Sequence, residues 1–309
     1  MLAFYCCVGL AGCAATPYET TSLDKGAIEL TATPFFPQEK YQCGPAALTT
    51  VLVQSGADIA VDDMVSQVYV PGRKGSLQPE LLAATRAVGR IPYPINGSIS
   101  AVYAELAAGR PVLALQNLGI KQIPRWHYAV VVGIDPDAGN VFLRSGTEQR
   151  RQTKLKTFLK AWQRSDYWAF VALRPGELPA QPDAMRFIAA VTAAESTGHR
   201  SAAHASWIAA VARWPQNPVA LFGLGNAAYA LQNYASAEQH FRQILEMRPD
   251  YLIAGNNLAL ALAKQGRLQD ALQQIDRVLR ETDPGDALLP EYTATLREIQ
   301  GMFGNSIIF

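Results

Sequence analysis

Hydrophobic positions in the first half of the chain follow two different periods. Apolar residues spaced three and four apart predict helices over 44–55, 61–67, 78–88 and 98–108. Apolar, β-branched runs predict strands over 111–116, 127–134, 140–144 and 168–173. Since the helices come first and the strands follow, instead of alternating with them, this half of the chain is predicted to be an α+β domain.

The second half of the chain repeats itself at a regular spacing. The positions that recur at this spacing are Ala203, Ala237 and Ala271, then Trp207, Phe241 and Ile275, and then Pro215 and Pro249. Gly198, Gln232 and Gly266 occupy the predicted turns between paired helices. The pattern resembles the tetratricopeptide repeat, in which a small residue lies where two helices approach each other. The resemblance implies an all-α solenoid that binds a protein partner in its groove.

These patterns divide the chain into segments. The predicted bounds are 1–12 for a signal peptide, 13–30 for a tether, 31–175 for the α+β domain, 176–183 for a proline-rich linker, 184–285 for three repeats (184–217, 218–251 and 252–285), and 286–309 for a capping helix and tail. Asn226 and Asn257 fall on the first helices of their repeats. Their side chains either line the groove and hold a peptide backbone, or lie on a solvent-exposed face of the helix.

The stretch Tyr41-Gln42-Cys43-Gly44-Pro45-Ala46-Ala47-Leu48 carries the chemistry that is easiest to recognise. A proline is favoured in the first turn of a helix, so Cys43 is expected at a helix start. The unpaired N–H groups and the positive end of the helix dipole stabilise a thiolate there. A thiol pKa below that of a free cysteine is therefore expected, as a cysteine nucleophile requires.

The first half of the chain has one histidine, His127, within the strand-like run Trp126-His127-Tyr128-Ala129-Val130-Val131-Val132-Gly133. Taken with the cysteine stretch, this run resembles the bacteriocin-processing (double-glycine leader) peptidase-like family of cysteine peptidases. The resemblance covers residues 31–175. It implies a papain-like α+β fold with Cys43 as nucleophile, His127 as general base and an upstream glutamine in the oxyanion hole. Gln38 is the candidate for that glutamine, and Gln42 is the alternative.

The family usually has an aspartate on the strand after the histidine strand, but this chain has Ser145 at that position. A hydroxyl accepts a hydrogen bond from the imidazole without supplying a charge that stabilises an imidazolium. Ser145 is therefore a candidate third member of the site. Asp135 and Asp137 lie in the preceding turn, where turn formation is their expected role.

The amino terminus is apolar and ends Leu10-Ala11-Gly12-Cys13. This ending resembles a bacterial lipobox, which implies cleavage before Cys13 and lipidation of its thiol. The apolar segment is too short to cross a bilayer as a helix. The expected location is the cell envelope, with a lipid anchor, and Ala14 favours the outer membrane facing the periplasm. Mature protein would then keep one thiol, that of Cys43.

Composition narrows the class of function. The chain has 309 residues, 49% of them hydrophobic, and a formal net charge of +1, which suits two globular domains and gives no support to nucleic-acid binding. The chemistry described above needs neither metal nor cofactor. Three hypotheses remain: a membrane-anchored cysteine peptidase acting on a peptide or protein, a non-catalytic peptide-binding adaptor, and an acyl transferase or amidase that uses the same site.

Overall fold

The computed structural model describes Leu23 and residues 26–306, and side chains up to residue 302. The predicted signal peptide, the lipidation site Cys13 and most of the predicted tether lie outside this range. In the described part of the chain, no helix is both long enough and apolar enough to cross a membrane.

A seven-stranded antiparallel sheet forms the centre of the amino-terminal half, hereafter the sheet domain. Its strands are β1 (Ile28–Glu29), β2 (Ile91–Pro94), β3 (Val112–Asn117), β4 (Trp126–Asp135), β5 (Asn140–Ser145), β6 (Glu148–Lys154) and β7 (Ala169–Leu173). The order across the sheet is β2-β7-β3-β4-β5-β6, and the short β1 also pairs with β4.

Helices cover both faces of the sheet and build the whole second half of the chain. They are α1 (Cys43–Gln54), α2 (Val61–Val68), α3 (Gln78–Ala87), α4 (Ile99–Ala107), α5 (Leu155–Gln163), α6 (Ala184–Glu195), α7 (Arg200–Arg213), α8 (Pro218–Ala230), α9 (Tyr234–Met247), α10 (Leu252–Lys264), α11 (Leu268–Glu281) and α12 (Leu289–Ser306). The arrangement confirms the expected class, an α+β domain followed by helical repeats, which form the helical domain (184–306).

The side chains of β4 alternate between the two faces of the sheet, and each face carries a hydrophobic core. Val130 and Val132 pack with α1, α2 and α3, while Ala129 and Val131 pack with α4 and α5 on the opposite face. This is the period of two that a strand imposes on its side chains. Because both faces of the sheet are covered, β4 is apolar without interruption from Tyr128 to Ile134, and its start at Trp126 is left at the surface.

The start of α1 is enclosed by the rest of the domain. Every residue from Gly44 to Leu52 is buried, so the helix is covered on all sides. A Cβ atom at Gly44 would lie 2.6 Å from Ser76 Cβ, closer than real contacts allow. Glycine at this position therefore permits the segment around Ser76 to cross directly over the beginning of the helix.

The sheet domain has four elements that were not predicted: β1, β2, β6 and α5. Two prolines obscure β2 in the sequence, but β2 is an edge strand that pairs with β7, and an edge strand tolerates residues that lack an N–H. β6 is polar and almost wholly exposed, so it lacks the alternation that identifies a strand. The helix α5 follows β6 directly. The predicted strands and the four predicted helices are present, with only small differences at their ends.

The regular spacing in the second half corresponds to a stack of helix pairs. Ala203, Ala237 and Ala271 are all buried. The turn residues Gly198, Gln232 and Gly266 all have positive φ angles, between 62° and 85°. Glycine adopts this conformation without steric cost, and Gln232 adopts it because the equivalent turn of the repeat demands it.

Hydrogen bonds hold the predicted linker against both domains. The buried carboxylate of Glu105 accepts a hydrogen bond from the Ala180 N–H at 2.8 Å and one from Arg110 at 2.6 Å. Gly176 N–H donates to the Ser206 hydroxyl on α7 at 3.2 Å. Phe187 of α6 lies in the same core as Tyr93 of β2, with ring centroids 6.4 Å apart. The first repeat is therefore packed onto the sheet domain.

Candidate active site

A cleft of about 870 Å³ opens beside the first residue of α1. One wall is the continuous segment 73–79, which precedes and begins α3. The opposite wall combines 125–128 at the start of β4 with Ser165 and Asp166, which follow α5. Cys43, Gln38 and His127 all line this cleft, so the fold brings three of the predicted site residues into one cavity.

Cys43 is the first residue of α1, as the sequence predicts, and carries a free, partly buried thiol. Burial raises the pKa of this thiol, and the backbone N–H groups of Tyr128, Gly44 and Cys43 itself lower it by less. The expectation of a depressed thiol pKa is therefore wrong. The helix start does present N–H groups to the sulfur, but the loss of solvation around a buried thiolate is the larger effect.

His127 is the second residue of β4 and pairs with Gln116 of β3. Its Nε2 atom lies 2.8 Å from the hydroxyl oxygen of Ser145, which leaves Nδ1 as the ring nitrogen for a partner in the cleft. Burial lowers the pKa of His127 to about 4, and the nearby Arg151 cation contributes to the shift. The imidazole is therefore neutral at neutral pH, the state in which it accepts a proton.

Ser145 is the last residue of β5 and is 5% exposed. Its neighbour Arg144 is buried and donates hydrogen bonds to the carbonyl oxygens of Thr31 at 2.9 Å and Thr33 at 3.1 Å. Arg144 thereby fastens the segment that leads into α1 to the strand that carries Ser145. Asp135 is at the far end of β4, roughly 26 Å along the strand from His127. Its carboxylate caps a turn by accepting the Ala138 N–H at 2.9 Å, as expected.

Gln38 is held near Cys43 by its backbone. Its N–H donates to the Gly146 carbonyl at 3.1 Å, one residue beyond Ser145. Its side chain lines the main cleft and also a cavity of about 10 Å³ that Cys43 and Ser145 share. Gln42, the alternative glutamine, precedes α1 and lines neither cavity. The position of Gln38 is therefore the one suited to contact a group bound at the sulfur.

Backbone strain is concentrated at the cleft. In the described part of the chain, five residues other than glycine have positive φ angles, and three of them line the cleft: Tyr41 (69°), Lys74 (49°) and Asp166 (54°). Such conformations cost on the order of 1–3 kcal/mol each and persist where surrounding structure enforces them. Strained residues of this kind are typical of sites that hold a ligand.

The wall formed by residues 73–79 carries no recognisable signal in the sequence. Ser76 lines the cleft and its buried hydroxyl has no hydrogen-bond partner, while its carbonyl accepts a hydrogen bond from the Tyr128 hydroxyl at 3.3 Å. The turn-forming Pro71-Gly72 marks this segment as a loop but gives no sign that it crosses α1. The role of this segment as a wall of the cleft follows from the fold alone.

Residues 118–125 form a hairpin that extends β3 and β4. The buried Asn117 side chain accepts the N–H groups of Gly119 and Arg125, each at 2.9 Å, and holds the base of this hairpin. Ile120 and Ile123 are 58% and 70% exposed. Trp126, also largely exposed, lines the cleft beside His127. The hairpin therefore presents an apolar surface next to the site.

The described residues contain no group of three or more potential metal ligands. In the helical domain, Asn257 Nδ2 donates a hydrogen bond to the side-chain amide oxygen of Asn226 at 2.8 Å. The two predicted groove asparagines thus bind each other across neighbouring repeats.

Comparison with known protein families assigns both halves of the chain. Residues 30–170 match the Peptidase_C39 like family. The sheet domain is a C39-like domain. Residues 188–251 and 225–287 match the tetratricopeptide repeat, so the helical domain is a repeat domain. The predicted family resemblance is confirmed for both. A search of curated proteins found no match to this chain.

Solved structures of both kinds are similar to parts of the chain. One, described as a C39-like peptidase from Bacillus anthracis, is 15% identical, with a TM-score of 0.42, and the match covers 48% of this chain and 98% of that one. A double glycine motif protease from an AMS/PCAT transporter, in complex with its leader peptide, is 16% identical over 48% and 94% of the two chains (TM-score 0.34). The second repeat domain of human RPAP3, in complex with an HSP70 peptide, is 20% identical over 38% and 94% (TM-score 0.34).

Proposed function

We propose that the C39-like domain is a cysteine peptidase and that the repeat domain recruits its substrate or a partner protein. The observation that carries the proposal is the bond of 2.8 Å between His127 Nε2 and the Ser145 hydroxyl, at a cleft that Cys43 also lines. This bond orients the imidazole and leaves Nδ1 for the thiol. A general base in such a site needs a third group that holds its ring in the orientation for proton transfer, and Ser145 is placed to do this.

The proposed reaction starts from a neutral thiol and a neutral imidazole. Cys43 Sγ attacks the carbonyl carbon of the scissile peptide bond while its proton moves to His127 Nδ1. The Gln38 side chain and the Cys43 N–H bind the negatively charged oxygen of the tetrahedral intermediate. The carbon–nitrogen bond then breaks, and the leaving amine takes the proton from the imidazolium. Water then attacks the thioester carbonyl carbon while His127 accepts its proton. The carbon–sulfur bond breaks, the Cys43 sulfur takes the proton back from the imidazolium, and the acid product leaves.

A second candidate is a peptide-binding protein without catalytic activity. Ser145 supplies no charge, and burial both raises the pKa of the Cys43 thiol and lowers that of His127. These features disfavour a thiolate–imidazolium pair at rest. They allow a slow enzyme in which proton transfer accompanies attack, and they also suit a site that binds peptide without cleaving it.

The test is cleavage of an amine-blocked peptide library prepared from a whole-cell lysate, with new amino termini identified by mass spectrometry. We expect cleavage by the wild type and none by Cys43→Ala. Ser145→Ala is expected to lower kcat about fivefold, because the imidazole loses a hydrogen bond with a net value of about 1 kcal/mol. The matched control is Ser66→Ala, at an exposed site on α2. Equal peptide profiles for wild type and Cys43→Ala would favour the binding protein.

We also propose that a lipid on Cys13 anchors the protein in the cell envelope, on the basis of the Leu10-Ala11-Gly12-Cys13 sequence. Cys13→Ser should then release the protein from the membrane fraction and abolish incorporation of a labelled fatty acid. Continued membrane retention of the unlabelled variant would contradict the lipid anchor.

A further inference from the structure

The cleft has an excess of positive charge that the protein itself does not neutralise. Arg73 and Lys74 lie on one wall and Arg125 on the other, and all three side chains are exposed. The carboxylate among the described residues that line the cleft is that of Asp166. The ion pairs of the described chain include none of the three cations.

Elsewhere in the protein, arginines near carboxylates form ion pairs. Arg110 pairs with Glu105 and Glu177, and Arg267 pairs with Glu238 and Asp270. The net charge of the whole chain is only +1. Among the described residues, the cleft lining carries three cations and a single carboxylate, that of Asp166. Clefts lined by one sign of charge concentrate ligands of the opposite sign.

The backbone holds one of these cations in place. Lys74 has a left-handed conformation, with a φ angle of 49°, and its ammonium lies 5.8 Å from the centre of the Tyr41 ring. Tyr41 also has a left-handed conformation and lies two residues before Cys43. The contact with Tyr41 thus places the Lys74 ammonium near the start of α1.

We infer that the substrate of this cleft is an acidic peptide segment, whose carboxylates lie against Arg73 and Lys74 on one side and Arg125 on the other. The inference rests on the proposed function, since it names the class of substrate for that site. Binding of carboxylates there would also offset the positive potential around His127, to which Arg151 contributes. An acidic substrate would therefore make the imidazole more basic at the moment when it must accept the thiol proton.

Binding to the full-length Cys43→Ala protein tests this inference without requiring hydrolysis. The probe is a short fluorescein-labelled peptide with glutamates at alternate positions, compared with the same peptide carrying glutamines and with one carrying lysines. We expect the glutamate peptide to bind about tenfold more tightly than the glutamine peptide, because three exposed charge pairs add small contributions. We expect the difference to shrink between about 50 mM and about 500 mM NaCl. Equal dissociation constants for the two peptides would overturn the inference.

The location is tested by charge reversal. Arg73→Glu with Arg125→Glu should remove the preference for glutamate, and Arg73→Gln with Arg125→Gln should remove most of it if the first variant folds poorly. The matched control is Arg280→Glu with Arg297→Glu, which makes the same charge change at exposed sites of the repeat domain. Loss of the preference in the control pair alone would place the acidic-peptide site on the repeats and refute the assignment to the cleft.

The two proposals fail in different ways. A Cys43→Ala protein that prefers the glutamate peptide supports this inference even if the wild type leaves the peptide library uncut, a result that would refute the peptidase. A wild type that cleaves the library without preference for acidic segments would support the peptidase and overturn this inference.

Discussion

The C39-like domain and the repeat domain are stabilised by contacts of different sequence range. In the C39-like domain, Arg144 reaches the carbonyl oxygens of Thr31 and Thr33, which lie far earlier in the chain. In the repeat domain, each helix pair packs on its neighbour, and Asn257 binds Asn226 one repeat away. A repeat stack is stabilised locally, step by step. In the sheet domain, by contrast, segments that are far apart in the sequence must come together before the candidate site forms.

The two regions also differ in where they tolerate irregularity. Strained residues and the unpartnered hydroxyl of Ser76 collect around the cleft of the C39-like domain. In the repeat domain, the positive φ angle of Gln232 falls at the regular turn position of its repeat. Three of the strained residues in the first region thus line the candidate site, whereas Gln232 in the second region follows the repeat. This contrast indicates that the chemistry belongs to the C39-like domain.

The largest expected effect comes from breaking the junction between the two regions. Phe187 is fully buried and packs against Tyr93 of β2 and Trp214 after α7. Phe187→Ala should destabilise the protein by about 3–5 kcal/mol, because it leaves a cavity in a core that both domains share. Hydrogen exchange followed by mass spectrometry should show faster exchange in β2 and in α6 together.

Phe241→Ala is the matched control for this prediction, because Phe241 is equally buried but lies within the stack. Its effect on exchange should remain in the repeats and spare β2. If Phe187→Ala accelerated exchange in α6 and left β2 unchanged, the two regions would be independent and the shared core would have no energetic importance.

A smaller effect should appear on acidification, and it should arise in the C39-like domain. The pKa of His127 is about 4 in the folded protein, against about 6.5 in an unfolded chain. Between these values the unfolded state binds more protons, so this contribution to stability is lost as the pH falls from about 6.5 to about 4. The loss should reach about 3 kcal/mol.

The measurement is the free energy of unfolding in urea at several pH values, for wild type and for His127→Gln. Glutamine does not titrate, so the variant should lose less stability over this pH window. Identical pH dependence in both proteins would mean that the imidazole is not buried in its neutral form.

The smallest expected effect tests the regularity of the repeat domain. Ala237 is fully buried where α9 meets its neighbours, so Ala237→Leu should cost about 1–3 kcal/mol through overpacking. Ala235→Leu places the same side chain at an exposed position of the same helix and should leave the unfolding temperature nearly unchanged. Equal melting curves for the two variants would show that the assigned register is wrong.

Much of this protein follows from local patterns in its sequence. The regular spacing of Ala203, Ala237 and Ala271 determines the helix pairs, because each repeat is stabilised by its immediate neighbours. The proline after Cys43 and the apolar run after His127 place the two residues at a helix start and on a strand, where the structure has them. The exposed β6 and the proline-containing β2 escaped prediction because edge strands are specified by their partners and not by their own alternation.

Tertiary structure alone decided the electrostatic state of the site and the union of the two domains. The sequence places a thiol at a helix start, which by itself favours a thiolate, but burial by distant segments raises the pKa of Cys43 and lowers that of His127. Desolvation depends on everything packed around a group, so no local motif encodes it. The same holds for the wall of residues 73–79 and for the linker bound to Glu105, since both depend on contacts between segments far apart in the chain.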